Sequence, residues 1–372
     1  MKKQLFLCAV LCFLTYTAYA ADTIKIGLMG SMTGPLASEG HDAKMTVELL
    51  ADELNHHGGI GGKQVTLIIE DDGGDPRTAA LAANRLASQG VVAVVGSYAS
   101  SITEAAQNIF DEAGIVQISN GSTAIRLTEK GLKMFFRTCP RDDEQAKVAA
   151  ATMMRMGYKR IAIVHDNTTY SKGLADATRA VLQQQGAQII FFDAITPGER
   201  DYSTILTKLK RAQPQAVYFP GYYPEGGLLL RQKKEMGWNV PFFGGDGMNN
   251  ADLVKIAGVN AAAGFIFTTP PLPKDLPTPE AKSFLEECRK RYGAPPNSIY
   301  GILAGDAFRV IVAGLTATRS TDPAKLAAYL HNGLKDYPGL TGKISFNAKG
   351  DRVGEVFRAY TIDAKGTRVL LQ

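Results

Sequence analysis

The chain has 372 residues, 45% of them hydrophobic and 21% charged, with a formal net charge of +5. That modest charge, with no basic run and no aromatic-basic stripe, argues against a nucleic-acid surface. Of four cysteines two fall in the first twelve residues, and the two that remain in so long a chain do not make a disulfide framework; the length exceeds one comfortable core, so two lobes are expected.

The N-terminus carries Lys2 and Lys3, an apolar run over 5–14 and the small-x-small signature Ala18-Tyr-Ala20. This pattern predicts an export signal cleaved after Ala20. The apolar run is too short for a membrane span. Leu11 precedes Cys12 where a lipid-anchor signal wants a small residue, so no anchor is expected. Cys8 and Cys12 leave with the signal, and Cys139 and Cys288 remain. Cys288 shares an apolar helical face with Ala281, Phe284, Leu285 and Tyr292, which predicts a buried core thiol.

Residues 23–28 alternate as a first strand; a loop over 29–40 leads to a helix with Ala43, Val47, Leu50 and Leu54 on one face. Residues 65–69 are the next strand, and Asp71-Asp-Gly-Gly-Asp-Pro76 is a turn with proline placed to open a helix. Residues 91–95 (VVAVV) form a buried strand that Gly96 breaks. After it, Ser101-Ile-Thr-Glu104 has capping-box spacing, with Ser101 as cap and Ser100 left to point outward beside unpaired helix amides. A strand over 115–118 then opens into Ser119-Asn-Gly-Ser-Thr123. A further strand is expected near 134–138. Strand-helix alternation then continues to residue 268, which argues for parallel sheets in both halves. Helices at 279–292, 304–317 and 323–330 precede closing strands at 343–346, 356–362 and 369–371. The late helices have no sheet of their own, so the chain must pass between lobes more than once.

In open α/β sheets ligands sit where strand-end loops diverge. The loops 97–101 and 119–123 offer hydroxyls and free amides to a small anion. Those over 29–40, 166–171 and 220–225 add hydroxyl, aromatic and acidic groups. Gly244-Gly-Asp-Gly presents Asp246 to a cleft. An anion site facing a carboxylate complements an amino-acid zwitterion. No Gly-x-Ser-x-Gly elbow, Walker A loop or His-Glu-x-x-His motif is present, and Gly27–Gly34 has the wrong spacing for a dinucleotide loop. His56-His57 reads as a solvated helix end, and His165 has no evident nucleophile beside it.

Across essentially its whole mature length the chain resembles the periplasmic leucine/isoleucine/valine-binding proteins, the solute receptors of branched-chain amino-acid ABC transporters. The stretches that carry the likeness are GSMTGPLASEG, NHHGGIGGKQVTLIIEDDGGDP, SSITEAAQNIFDEAGI, RIAIVHDNTTYSKGLA, FFDAITPGERDYSTIL and GYYPEGGLLLRQ. The resemblance implies an α/β fold of two Rossmann-like lobes with parallel sheets joined by a three-segment hinge, the type I periplasmic binding architecture. Lobe one would comprise 21–138 and 270–340, and lobe two 139–269 and 341–372, with crossings near 137–140, 268–271 and 340–343. The protein would be a monomeric periplasmic receptor, not an enzyme, with no cofactor, metal or nucleic-acid partner. It would capture an L-amino acid, branched-chain or aliphatic, and deliver it to a membrane permease.

The resemblance also implies roles. Ser100 and Thr123 would hold the α-carboxylate with backbone of the Tyr98 and Gly121 loops, Asp246 would pair with the α-ammonium, and Tyr170 and Tyr222 would close from lobe two. Tyr300 would supply another aromatic wall. The departures are Glu39 and Tyr98, where the best-known members have tyrosine and leucine, and Gly74 and Ala99, which correspond to a disulfide pair in those relatives. Either Glu39 swings to solvent, the preferred alternative, or the ligand's side chain is polar or cationic. An amide, urea or aromatic-acid ligand, and an exported enzyme on the same scaffold, are the other readings.

Overall fold

The computed structural model describes residues 23–354 and 357–371; the expected signal and its expected cleavage point lie outside them. Two separate sheets organise the chain. The first contains β1 (Ile24–Gly30), β2 (Val65–Asp71), β3 (Ala93–Val95), β4 (Val116–Ser119) and β5 (Phe135–Arg137), all parallel, in the order 2-1-3-4-5. The second contains β6 (Arg160–His165), β7 (Gln188–Ala194), β8 (Ala216–Phe219), β9 (Phe242–Gly244) and β10 (Ile266–Thr269), parallel in the same relative order. A small hairpin, β11 (Tyr337–Gly339) and β12 (Gly342–Ile344), lies apart, and antiparallel β13 (Arg358–Ile362) and β14 (Arg368–Leu370) extend the second sheet.

The connecting helices cover both faces, as a buried parallel sheet requires. Lobe one carries α1 (Ala37–His56), α2 (Pro76–Ser88) and α3 (Ser100–Glu112). Lobe two carries α4 (Asp142–Arg155), α5 (Thr169–Gln184), α6 (Ser203–Ala212), α7 (Tyr223–Glu235), α8 (Asp252–Ala257) and α9 (Val259–Ala262). The chain then returns through α10 (Pro279–Tyr292), α11 (Ile299–Thr318) and α12 (Pro323–Asn332). Phe308, Ile311, Leu326 and Leu330 of α11 and α12 fill one face of the first sheet against Ile26, Val95 and Ile118. The helices that lacked a sheet of their own thus pack on lobe one. By length and composition α11 could cross a membrane, yet most of it is buried inside the fold.

Pro76 opens α2 as the sequence suggests, and Asp75 caps it, accepting from the Arg77 and Thr78 N–H groups at 2.9 Å. The capping box of α3 does not form. The helix starts one residue earlier, after Ala99, with no side-chain cap. Glu104 is drawn off to Arg126, Lys130 and the Thr169 hydroxyl. The third passage between sheets also falls later than 340–343. Ile344 and Phe346 pack in the lobe-one core, Asp351 pairs with β5 at Arg137, and the chain reaches the second sheet only at β13.

Arg137 is the anchor of that hinge. It is fully buried, donates from Nε to Asp351 at 2.7 Å, and donates to the Ser122 and Ala124 carbonyls at 3.0 and 2.8 Å. One guanidinium therefore ties the first crossing, the third crossing and the 119–124 loop together. A buried ion pair of this kind is sustained only when its remaining donors are satisfied; the Thr128 hydroxyl accepts another at 2.8 Å.

Candidate functional site

The 2-1-3-4-5 order puts the topological switch point of lobe one between β1 and β3, where their following loops diverge. The hydroxyls there first hold the loops together. Ser119 Oγ donates to the Ser97 carbonyl at 2.8 Å, and Ser122 Oγ lies 3.1 Å from the Ser97 and Tyr98 carbonyls. Buried Asp72 accepts from Ser31, Ser97 and the Gly74 N–H, at 2.6, 2.8 and 3.0 Å. It therefore joins the stretches around Ser31, Gly74 and Ser97.

Ser100 is the first residue of α3 rather than an outward hydroxyl; its Oγ accepts from the Ala124 N–H at 3.2 Å. Its backbone N–H faces the Tyr222 hydroxyl. Thr123 is fully buried, and its side-chain hydroxyl lies beside the Asp142 carboxyl. Gly121 lies under Tyr98: a Cβ there would come within 2.5 Å of the Tyr98 ring. The loop needs glycine at this point because the backbone passes directly beneath an aromatic side chain.

Asp246 enters from lobe two, just beyond β9, and is buried. Oδ1 accepts from Tyr170 Oη at 2.6 Å, and Oδ2 accepts from the Tyr300 hydroxyl. Burial raises the Asp246 pKa, while these bonds and the Gln145 amide oppose the rise by supporting the charged form. The Tyr98 ring stands 5.2 Å from that of Tyr300 and 6.0 Å from that of Tyr222; Tyr170 and Tyr222 are 5.1 Å apart. Four tyrosines from both lobes therefore close around one carboxyl. Ser100, Gly121, Thr123, Tyr98, Tyr170, Tyr222, Tyr300 and Asp246 meet in this single inter-lobe space.

Glu39 does not swing to solvent. It is 2% exposed, accepts from Asn250 Nδ2 of lobe two at 2.7 Å, and leaves Oε2 without a partner. Burial first, and then the neighbouring Asp42, raise its pKa to about 8. Asn250, in the loop leading to α8, holds Glu39 inward, a contact that local sequence pattern cannot show. Arg368 of β14 also bears on Glu39 electrostatically, while its guanidinium donates to Asn249 and to the Asn297 carbonyl.

Two buried groups escaped the sequence reading. Gln145 donates to the Thr268 carbonyl at 2.9 Å beside Asp246. Asp142 is wholly buried at the start of α4. The available signal, an Asp-Asp-Glu run before a helix, points equally to exposed helix-start acids.

Elsewhere the chemistry is quiet. His56 and His57 place Nδ1 2.8 Å from the Asp52 and Glu53 carbonyls at the end of α1. Cys139 and Cys288 are free and buried. Among the described residues no cluster of His, Cys, Asp and Glu has a metal-binding arrangement.

Residues 23–367 match the family model described as periplasmic binding protein. The chain belongs to the periplasmic binding protein family. It is 36% identical over 352 residues to the Leu/Ile/Val-binding protein BraC3 of Rhizobium johnstonii, covering 94% of this chain and 95% of that one. It is 35% identical to the leucine-, isoleucine-, valine-, threonine- and alanine-binding protein of Pseudomonas aeruginosa, over 97% and 95% of the two chains. Among solved structures, the leucine-binding protein LivK of Thermotoga maritima superposes with a TM-score of 0.87 at 27% identity, covering 94% and 98%. The isoleucine complex of LivJ from Streptococcus pneumoniae gives 0.83 at 30%, covering 93% and 97%. This branched-chain amino-acid branch consists of substrate-binding proteins of the type I fold, so the protein is a binding protein and not an enzyme.

Proposed function

We propose that this protein is the periplasmic receptor of an ABC importer, capturing an L-amino acid, branched-chain or aliphatic, by closure of its two lobes. The observation that carries the reading is the placement of Asp246 on lobe two opposite the α3 start and the Thr123 loop of lobe one. A helix start attracts a carboxylate and a buried aspartate attracts an ammonium, so the two ends of a zwitterion find opposite partners. Ser100, Gly121 and Thr123 would receive the carboxylate on the open lobe. Closure would then bring Tyr170, Tyr222 and Asp246 across, and a membrane permease would take the ligand from the closed form. The mature chain would begin at Ala21, act as a monomer and need no cofactor.

One observation favours a second reading of the same site. Glu39 is buried close enough to Tyr98 to raise that phenol's pKa, and its Oε2, the oxygen left to carry the carboxyl proton, is without a partner. A ligand side chain with a hydroxyl, as in threonine, which can accept or donate, would suit it better than a purely aliphatic one. The test is a calorimetric screen of the mature protein, unfolded and refolded to strip carried ligand, against the twenty L-amino acids. Tight binding of leucine, isoleucine or valine supports the first reading, and preference for hydroxyl-bearing or basic side chains supports the second. Binding of none refutes both.

A further inference from the structure

The lobes meet at the start of α1 through side chains far apart in the chain. Asn250 of lobe two donates from Nδ2 to Glu39 Oε1 at 2.7 Å and to Ser38 Oγ at 3.2 Å. Tyr223, opening α7, donates from its hydroxyl to the Pro35 carbonyl at 2.8 Å. Arg368 of β14 donates to the Asn297 carbonyl at 3.2 Å. Asp42 of α1 accepts from the Asn297 and Ser298 N–H groups at 2.6 and 3.0 Å, so these acceptors share one edge of lobe one. Of the four, only Glu39 ionises.

The groups that face Glu39 come from every neighbouring element. Burial, and then Asp42 one turn further along α1, disfavour the charged carboxylate; Ser298 before α11, Asn250 and Arg368 favour it. Tyr98 and Tyr223 face it as phenols that burial, and then Glu39 itself, hold neutral. Asp252 of α8 bears on Asp42. Burial outweighs the supporting groups and lifts the Glu39 pKa from 4.5 to about 8. Part of that cover, Asn250, Tyr223 and Arg368, belongs to lobe two.

We propose that Glu39 and Asn250 form a proton-carrying clasp across the cleft, so that each capture of a ligand draws a proton from solvent onto Glu39. This rests on the receptor reading given above, in which the lobes part to admit the ligand. With the lobes apart, water reaches the carboxyl and it ionises near its ordinary pKa. With the lobes together it is buried, Oε1 keeps the Asn250 amide, and Oε2 takes the proton from water or buffer. Between the two pKa values the closed form binds more protons than the open one. Ligand affinity is therefore greatest below about pH 4.5 and declines as pH rises to about 8.

Calorimetry with L-leucine, or whichever of the twenty L-amino acids binds tightest in the screen, tests this in wild type and Glu39→Gln. The glutamine keeps an acceptor for Asn250 and cannot take up a proton. Titrations in two buffers of different ionisation enthalpy count the protons exchanged. Near about pH 6.5, wild type should take up about one proton more per ligand than the variant. Its affinity relative to the variant's should fall roughly tenfold per pH unit between about pH 5.5 and 7.5. Equal proton counts and parallel pH profiles overturn the proposal while leaving the receptor reading intact. A wild type that binds none of the twenty overturns both. Should the glutamine variant fail to fold, Glu39→Leu, of similar volume, takes its place and is read by the same outcomes.

Discussion

Asp246 and Glu39 are both acids buried between the lobes, and their surroundings differ. Asp246 accepts a tyrosine hydroxyl on each oxygen, so much of its lost hydration is replaced. Glu39 accepts one amide, faces another acid, and holds its proton to about pH 8. Burial alone therefore does not decide whether a carboxyl in this interface is ready for a cation. The donors supplied by the opposite elements decide it.

The largest expected effect breaks the Asp246 end. Asp246→Ala should weaken amino-acid binding by two orders of magnitude or more, because stripping one partner from a buried charged pair costs ~3–5 kcal/mol. Calorimetry showing a loss no greater than that of Tyr222→Phe would remove Asp246 from the site.

Glu39→Gln sharpens the contrast through pH. The Glu39 pKa is raised from 4.5 to about 8 in the folded protein. Its stabilising contribution is therefore complete below about pH 4.5, declines as pH rises, and is gone above about pH 8. Each pH unit across that window can cost up to about 1.4 kcal/mol. Thermal midpoints of wild type should fall relative to those of Glu39→Gln across the window, with the variant the more stable above pH 8. Parallel profiles would place Glu39 in water.

Gly245→Ala should cost about 1–3 kcal/mol of stability in denaturant titrations, since its Cβ would sit 2.3 Å from the Tyr170 hydroxyl that serves Asp246. The smallest effect belongs to Tyr222→Phe, about 0.5–1.5 kcal/mol in ligand affinity, because one hydroxyl facing the Ser100 N–H is lost and the ring remains.

Much of this arrangement was legible beforehand because it rests on local pattern. The strand at 91–95, the proline-opened helix at Pro76 and the glycine-flanked Asp246 all carry their signals within a few residues. What was not legible depends on partners far along the chain. Ser101-x-x-Glu104 has a sound capping pattern, but Arg126, Lys130 and Thr169 compete for the glutamate. Glu39 was expected in solvent because Asn250, 211 residues away, is not visible from the first helix. Asp142 was hidden for the same reason: the groups that bury it lie in both lobes.

Helix α11 has a further consequence, for the journey before folding. Unfolded, residues 299–318 form a stretch that a lipid bilayer could retain by length and composition. Asp306 and Arg309 lie near its middle. On the insertion scale each such charge costs ~2.5–3.5 kcal/mol, while each Leu, Ile, Phe or Val returns only ~0.3–0.6. In a chain crossing a membrane unfolded, the two charges would tilt the segment toward passing through instead of lodging in the lipid. Once folded, Asp306 accepts from the Leu340 and Thr341 N–H groups at 2.6 and 3.1 Å. The side chain that would disfavour lipid in the unfolded chain fastens the hairpin turn in the folded one.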